Sequence, residues 1–298
     1  MMRAAVIINP ATADVPALRK TMEETLTAEG WSTPMWLETT PDDPGAGMAE
    51  AAVAAGVQLV AICGGDGTIM ACLGTLAGTE LPVALLPLGT GNLLARNLGV
   101  PIELADALAV AVNGEDRRID LGRVGDQLFS VMAGIGFDAA MMADASEGLK
   151  QLAGWPAYVF SGLRHLRDPV MRVQLRIDDN PPLRRPARTV LVGNVGRLQG
   201  GLELLPDATV DDGLLDVVVV GPRTLRDWIR VAWRVFRRDR TQHPHLERFR
   251  GRTIRIEADR IVPRQMDGEV VDDGRSLHAR IEPGALVIRV PQPVATAA

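Results

Sequence analysis

The first 110 residues alternate short apolar runs with segments of helical spacing, and this alternation restricts the chain to few folds. The apolar runs predict strands at Ala4–Asn9, Met35–Glu38, Gln58–Cys63 and Pro82–Leu86. The segments between and after them predict helices at 15–29, Ala46–Ala55, Thr68–Leu76 and Leu104–Val112. Strands that alternate with helices of about 10–15 residues predict βαβ units and a parallel sheet.

The pattern changes after about residue 120. Short segments containing valine or arginine follow one another there, separated by Gly, Pro and Asp turns, as is typical of antiparallel strands. These segments are Met171–Asp178, Thr189–Gly193, Leu215–Gly221, Thr253–Ala258 and Leu286–Val290. Helical spacing returns only near 139–167 and 224–239. Because single cores rarely grow past about 250 residues, 298 residues also favour two domains. We predict an α/β domain at 1–122, rejoined by 280–298, and a mainly antiparallel β domain at 123–279.

Charge and hydropathy exclude several classes of protein. The net charge is −5, divided as −9 for residues 1–122 (6 basic, 15 acidic) and +4 for residues 123–298 (26 basic, 22 acidic). The negative net charge of the whole chain argues against a nucleic-acid partner. The positive net charge of residues 123–298 is compatible with binding to an anionic lipid surface. No apolar run approaches the ~18–20 residues that span a bilayer, and no signal peptide is evident. The two cysteines are too few for a disulfide framework, so we expect a cytoplasmic protein.

A glycine-rich loop follows the third predicted strand. In Gly64-Gly65-Asp66-Gly67-Thr68 the strand ends at Gly64 and a helix begins near Thr68. A strand, loop and helix in this order direct backbone N–H groups and the positive helix end at an anion, and glycine lets a phosphate approach the backbone. A tight glycine turn with Asp66 as turn former is the alternative interpretation.

The loop is neither a Walker motif nor a dinucleotide-binding Gly-x-Gly-x-x-Gly. It resembles the signature shared by diacylglycerol, sphingosine and ceramide kinases, NAD kinases and, more distantly, phosphofructokinases. A second stretch, Leu86–Gly99, is similar to the second nucleotide loop of the lipid kinases. Further blocks follow in the order of bacterial diacylglycerol-kinase-like proteins: Asp120-Leu-Gly, Gly134–Asp138, Lys150 to Tyr158, Asp211–Asp216 and Gln265–Glu269. The resemblance covers nearly the whole chain.

This resemblance implies a two-domain fold with an N-terminal NAD-kinase/phosphofructokinase-like domain and a C-terminal β-sandwich. It also implies ATP as the cofactor and phosphate donor. The implied nucleotide-contacting residues are Asn9, Pro10, Thr12, Thr40, Gly64, Gly65, Asp66, Gly67, Thr68, Gly89, Thr90 and Asn92. A helix N-cap is the alternative role for Asn92, and Thr39 competes with Thr40. Two departures weaken the match: Asn9–Ala13 lacks a phosphate-contacting Gly and Lys, and Ala71 replaces a Glu.

Carboxylates near the C-terminus suggest proton transfer. In Asp267-Gly268-Glu269 an extended backbone would place both carboxylates on one face, where their pKa values would separate. By resemblance, Glu269 accepts the proton of the lipid hydroxyl, with Asp267 as its support or as part of a metal network, and Asp66 completes the catalytic set. The alternative is an Asp-Gly hairpin turn with an exposed Glu269.

The resemblance also implies Mg²⁺. A structural magnesium loop would use the Asp212 carboxylate and the backbone carbonyls of Thr209 and Leu214, unless this segment is an ordinary hairpin turn. Catalytic magnesium would bridge the ATP phosphates, with Asp66 and Asp120 as candidate ligands.

The segment 224–239 predicts an amphipathic helix. One face would carry Leu225, Trp228, Ile229, Ala232, Trp233 and Phe236, and the arginines lie away from it. Such a stripe more often packs on the protein's own sheet than in a bilayer interface, so we predict core packing.

The resemblance implies an ATP-dependent lipid kinase, with diacylglycerol as the first acceptor to consider. Another lipid acceptor, an NAD-kinase-like activity and a degenerate nucleotide-binding regulator are the alternatives. The expected partner is a lipid substrate at the inner membrane surface, with peripheral contact only, and a homodimer is compatible with the sequence.

Overall fold

A computed structural model describes residues 2–11, 15–136, 170–197, 203–222, 224–237, 241 and 243–293. The chain divides into two compact units, Met1–Ile119 with Gly284–Ala298, and Asp120–Pro283. The chain therefore changes unit twice. It enters the second unit within β5 (Glu115–Val124) and returns to the first unit within β14 (Glu269–Val290). Among the described residues, no helix is both long and apolar enough to cross a bilayer.

The first unit is an α/β fold around a parallel sheet. Its strands are β1 (Ala4–Ile8), β2 (Met35–Glu38), β3 (Leu59–Gly64) and β4 (Val83–Pro87). They lie in the order β2-β1-β3-β4, all parallel, and Ile288 and Arg289 of β14 pair in parallel beside β4. Every residue of β1, β3 and β4 is buried, as expected for strands covered on both faces.

In the described part of the first unit, five helices accompany this sheet. They are α1 (Val15–Ala28), α2 (Ala46–Ala54), α3 (Asp66–Leu76), α4 (Leu93–Asn97) and α5 (Leu104–Asn113). In α1 the side chains of Leu18, Met22 and Leu26 are buried, because a spacing of four residues keeps them on one face.

The second unit is mainly antiparallel β structure. Besides parts of β5 and β14 it contains β6 (Gln127–Phe129), β7 (Met132–Gly136), β8 (Met171–Ile177), β9 (Leu183–Ala187), β10 (Thr189–Gly193), β11 (Leu215–Val220), β12 (Leu246–Gly251) and β13 (Thr253–Met266). Among the residues of this unit that the structure describes, a helix, α6, spans Leu225–Phe236. The first half of β13 pairs with β8, and its last residues pair with β7, which continues through β10 and β11 to β12.

The predicted fold class, α/β followed by mainly antiparallel β, is confirmed. Two details differ from the sequence prediction. Leu286–Val290 was grouped with the antiparallel strands, but Ile288 and Arg289 lie in parallel beside β4. Helix α3 begins at Asp66, two residues before the predicted start. The helical stretch predicted near 139–167 lies outside the described residues.

Candidate functional site

The strand order of the first unit indicates that ligands bind at the carboxyl ends of its strands. Strand β1 has β2 on one side and β3 on the other, so the connections leave the β1–β3 pair in opposite directions. Ligands of open α/β sheets bind at such a switch point, outside the carboxyl ends of the strands. Asn9 follows β1 and Gly65 follows β3 at this edge, and the Asn9 N–H donates to the Cys63 carbonyl over 3.1 Å.

The loop from Gly64 to Thr68 turns β3 directly into α3. Gly65 is the N-cap and supplies no side-chain acceptor, and the Ile69 N–H makes the first bond of the helix, to the Gly65 carbonyl. The amides of Asp66, Gly67 and Thr68 precede that bond and therefore have no acceptor within the helix. Gly67 is exposed, whereas the Thr68 side chain is buried. The loop can thus offer backbone donors and a helix dipole to an anion.

The second glycine loop lies directly against the first. A Cβ added to Gly89 would lie 2.6 Å from the Cα of Gly65, so the two backbones approach as closely as glycine permits. Asn92 closes this second loop in a left-handed conformation, with φ of 48°. Its Oδ1 accepts from the Gly89 N–H over 3.0 Å and its Nδ2 donates to the Gly89 carbonyl over 2.6 Å. The structure therefore assigns the Asn92 side chain to its own turn, while Thr90 is exposed.

Asp66 joins the two loops. Its Oδ1 accepts from the Leu93 N–H over 2.7 Å, at the first turn of α4. Burial raises the pKa of the Asp66 carboxyl, and the amides of residues 92–94 and Arg96 act in the opposite direction. The Asp66 carboxylate therefore bonds to the backbone of the second glycine loop, where α4 begins.

The remaining nucleotide-side residues lie near the same strand ends. The Asn9 Oδ1 accepts from the Ala11 N–H over 3.0 Å, and Pro10 is exposed in that turn. Thr40 is exposed after β2, and its Oγ1 accepts from the Asp43 N–H over 3.1 Å. Thr39, the competing threonine, is buried. Thr12 lies outside the described residues.

The predicted catalytic carboxylates lie on a hairpin of the second unit. Asp267 and Gly268 form the two-residue connection between β13 and β14, with φ of 44° and 93°, as a type I′ turn requires. Asp267 is buried and Glu269, the first residue of β14, is exposed. The expectation that both carboxylates share one face is wrong, because the turn separates their environments.

Asp267 accepts four hydrogen bonds. Its Oδ2 receives the Ser130 N–H at 2.7 Å and the Ser130 hydroxyl at 2.9 Å, and its Oδ1 receives the amides of Val131 and Met132 at 2.9 and 2.8 Å. Burial raises the pKa of the Asp267 carboxyl, against the effect of these donors. Both oxygens of Asp267 are thus held by residues 130–132, so this carboxylate supports the turn.

The predicted magnesium loop is held by its own contacts. The Asp212 carboxylate accepts from the Thr209 hydroxyl at 2.6 Å and from the Leu214 N–H at 3.0 Å, and it also pairs with Arg250. The Asp216 carboxyl has a pKa of about 6, raised chiefly by burial and also by Asp212 and Asp207, against the effect of Arg250. Among the described residues, no three His, Cys, Asp or Glu side chains form a metal cluster.

Ser130 and Asn194, to which the sequence analysis assigned no role, connect the predicted magnesium loop to the hairpin of β13 and β14. Asn194 Nδ2 donates to the carbonyls of Asp120 and Ser130 at 2.8 and 3.1 Å. Asp120, which was named only as a candidate magnesium ligand, accepts from the Gly213 N–H at 2.6 Å. The roles of Ser130 and Asn194 had no sequence signal, since their partners are more than sixty residues away.

Comparison with known protein families gives matches along most of the chain. Residues 3–124 match the diacylglycerol kinase catalytic domain, and residues 130–290 match the YegS C-terminal NAD kinase beta sandwich-like domain. The probable lipid kinase YegS-like of Pseudomonas aeruginosa PAO1 is 35% identical over 248 residues, which cover 82% of this chain and 80% of that protein. This chain belongs to the YegS-like lipid kinase family. Its Pseudomonas putida relative of the same description is 41% identical over 174 residues, 57% of this chain and 58% of that protein.

Solved structures show the same fold at lower identity. A crystal structure of a diacylglycerol kinase from Bacillus anthracis has a TM-score of 0.74 at 21% identity, covering 97% of this chain and 96% of that chain. An NAD kinase from Archaeoglobus fulgidus in complex with ATP has a TM-score of 0.55 at 14% identity, covering 98% and 94%. Both lipid-kinase and NAD-kinase structures therefore share the architecture predicted for this member of the YegS-like family.

Proposed function

We propose that this protein is an ATP-dependent lipid kinase that transfers the γ-phosphoryl group to a lipid hydroxyl, with diacylglycerol as the first acceptor to test. The observation that carries the proposal is the pair of glycine loops at the carboxyl edge of the parallel sheet, where Gly65 and Gly89 touch and α3 begins. Phosphoryl transfer needs a cradle for the phosphates and a base near the acceptor. The Gly64–Thr68 loop supplies the cradle, and Glu269 is the proposed base.

A product assay tests the reaction and its acceptor. The protein and labelled ATP are incubated with one acceptor in each reaction. The acceptors are diacylglycerol, a sphingoid base, ceramide, phosphatidylglycerol and NAD. Labelled phosphatidic acid as the main product supports both the lipid kinase activity and diacylglycerol as its acceptor. A different phosphorylated lipid supports the lipid kinase activity and identifies another acceptor. Phosphorylated NAD alone, or no product from any acceptor, contradicts it and favours an NAD kinase or a nucleotide-binding regulator.

The contact between the glycine loops gives a specific prediction for nucleotide binding. We expect Gly89→Ala to weaken ATP binding by about tenfold or more, because the added methyl forces the loops apart at a cost of about 1–3 kcal/mol. Gly74→Ala is the matched control, since a Cβ at this position of α3 meets nothing within 4 Å. Titration calorimetry with ATP checks both variants, and equal affinities would contradict a phosphate site between these loops.

Magnesium fits the acidic loop of the second unit. Asp207 and Asp212 both raise the pKa of Asp216 there, against the effect of Arg250, so negative charge gathers in this loop, and Mg²⁺ prefers oxygen ligands. The Asp212 carboxylate and the carbonyls of Thr209 and Leu214 would hold the ion. When bound, the ion neutralises this charge and stiffens the loop.

Thermal unfolding tests this magnesium site independently of activity. We expect Mg²⁺ to raise the unfolding temperature of the wild type by several degrees, since an ion that binds only the folded state stabilises it. Asp212→Ala should abolish the increase, and the neighbouring exposed Asp211→Ala should keep it. An increase that persists in Asp212→Ala would place the ion elsewhere.

A further inference from the structure

The outward surface of helix α6 combines large apolar side chains with arginines. Among the side chains from 225 to 237 that the structure describes, five are exposed and are called here the α6 face: Arg226, Ile229, Arg230, Trp233 and Arg237. The exposed fractions of Ile229 and Trp233 are 61% and 54%. At 100° per residue these five positions fall within about a third of the helix circumference, so they form one stripe. The predicted core packing of this apolar stripe is therefore wrong for Ile229 and Trp233.

The orientation of α6 is fixed by its first turn. Thr224 and Asp227 form a reciprocal capping pair: the Thr224 N–H donates to Asp227 Oδ2 at 2.9 Å, and the Asp227 N–H donates to the Thr224 hydroxyl at 3.3 Å. Asp227 also lies 3.4 Å from His245 Nε2. Asp227 and Val231 are buried at 8% and 5% exposure, about 100° or more around the helix from Ile229. These contacts hold the α6 face outward.

The charge on this face has one sign. Asp227, the only acidic residue from 224 to 238, is buried on the inward side. The Arg237 guanidinium lies 4.6 Å from the Trp233 ring centroid, so the cation covers part of the aromatic surface. Tryptophan and arginine side by side suit the boundary between lipid headgroups and acyl chains, where the ring is half-buried and the cation meets phosphate.

We propose that the α6 face docks on an anionic phospholipid bilayer, with Ile229 and Trp233 inserted at the headgroup boundary and the three arginines on lipid phosphates. Charge complementarity selects this occupant over an apolar groove of another protein, because arginines flank both apolar side chains. The inference rests on the proposed function in one respect: a lipid acceptor resides in the bilayer, so docking brings the kinase to its substrate.

Vesicle binding by the full chain, without ATP or acceptor, tests the docking. Sedimentation is compared for phosphatidylcholine vesicles and for vesicles that also contain phosphatidylglycerol. We expect the wild type to prefer the anionic vesicles and to release them as salt is added. Two variants should each bind the anionic vesicles about tenfold or more less strongly than the wild type. One combines Arg226→Gln, Arg230→Gln and Arg237→Gln, and the other combines Ile229→Ser and Trp233→Ser.

The matched control is Ile261→Ser with Arg280→Gln, since Ile261 is also 61% exposed and the Arg280 side chain is 64% exposed, against 66% for Arg230. It should bind anionic vesicles like the wild type. Equal binding by the α6 variants and the wild type overturns the proposal, as does equal binding to neutral vesicles. A change from dimer to monomer on gel filtration of the α6 variants, with vesicle binding retained, also overturns it and makes the face an interface between copies.

Kinase activity on a short-chain acceptor dispersed in solution separates the two proposals. The α6 variants should phosphorylate this acceptor at the wild-type rate and lose activity only on vesicles. Loss of vesicle binding with normal activity in solution supports the docking face. An inactive wild type that still binds anionic vesicles through α6 contradicts the kinase and leaves the docking intact.

Discussion

Replacement of Glu269 by Gln is expected to slow phosphoryl transfer by about 10²–10⁴-fold, the usual worth of general-base assistance. Glutamine keeps the size of the side chain but accepts no proton. Because Glu269 is exposed at the start of β14 and the Asp267–Gly268 turn is unchanged, the variant should fold like the wild type. ATP binding should also persist, since the proposed nucleotide loops lie in the other unit. Turnover and ATP affinity are measured on the same preparation.

Asp273→Asn is the matched control for Glu269. Asp273 is an exposed carboxylate on the same strand, opposite Pro263. It should retain wild-type turnover. If Glu269→Gln keeps more than about a tenth of the activity, a loss smaller than general-base removal produces, the base lies elsewhere.

The strands of the first unit could be predicted to within a residue because their signal is local. β1, β3 and β4 are buried on both faces, so each appears as a continuous apolar run. The long strand β14 gave no such signal. Its exposed first residues, Glu269–Asp273, are followed by alternating burial from Leu277 to Ile281, and a continuous buried apolar run appears only at Leu286–Ile288. A strand that changes environment along its length has no single sequence pattern.

The site was predicted unevenly for a related reason. Glycine loops are recognisable because a close backbone approach requires glycine, and Gly65 with Gly89 fulfils that requirement. The surroundings of Asp267 depend on Ser130, which lies 137 residues earlier in the chain. No spacing rule could distinguish an Asp267 that accepts four donors from one that shares a face with Glu269.

Helix α6 shows the limit of a helical pattern. Periodicity located the helix, but it could not determine which part of the circumference packs inward. The capping pair of Thr224 and Asp227 and the contact with His245 settle that orientation, and they expose Ile229 and Trp233. The tertiary contacts of the buried Asp227 carboxylate therefore determine which side of α6 packs inward, and the apolar stripe alone does not.

Replacement of Asp267 by Ala is expected to destabilise the second unit strongly. The change leaves the amides of Ser130, Val131 and Met132 buried without their acceptor, and each such donor costs about 1–3 kcal/mol. The free energy of unfolding should fall by about 3 kcal/mol or more, and the unfolding temperature by about 6 °C or more. Asp273→Asn again serves as the control and should unfold like the wild type.

The two acidic residues of the hairpin should thus fail in opposite ways. Glu269→Gln should lose turnover at unchanged stability, whereas Asp267→Ala should lose stability and, through the displaced turn, turnover as well. Asp267→Asn refines the contrast, because its amide keeps one acceptor oxygen but places an N–H₂ group against backbone donors, so it too should unfold early. If Asp267→Asn instead unfolds like the wild type and loses only turnover, Asp267 takes part in the chemistry directly and is not confined to holding Glu269 in place.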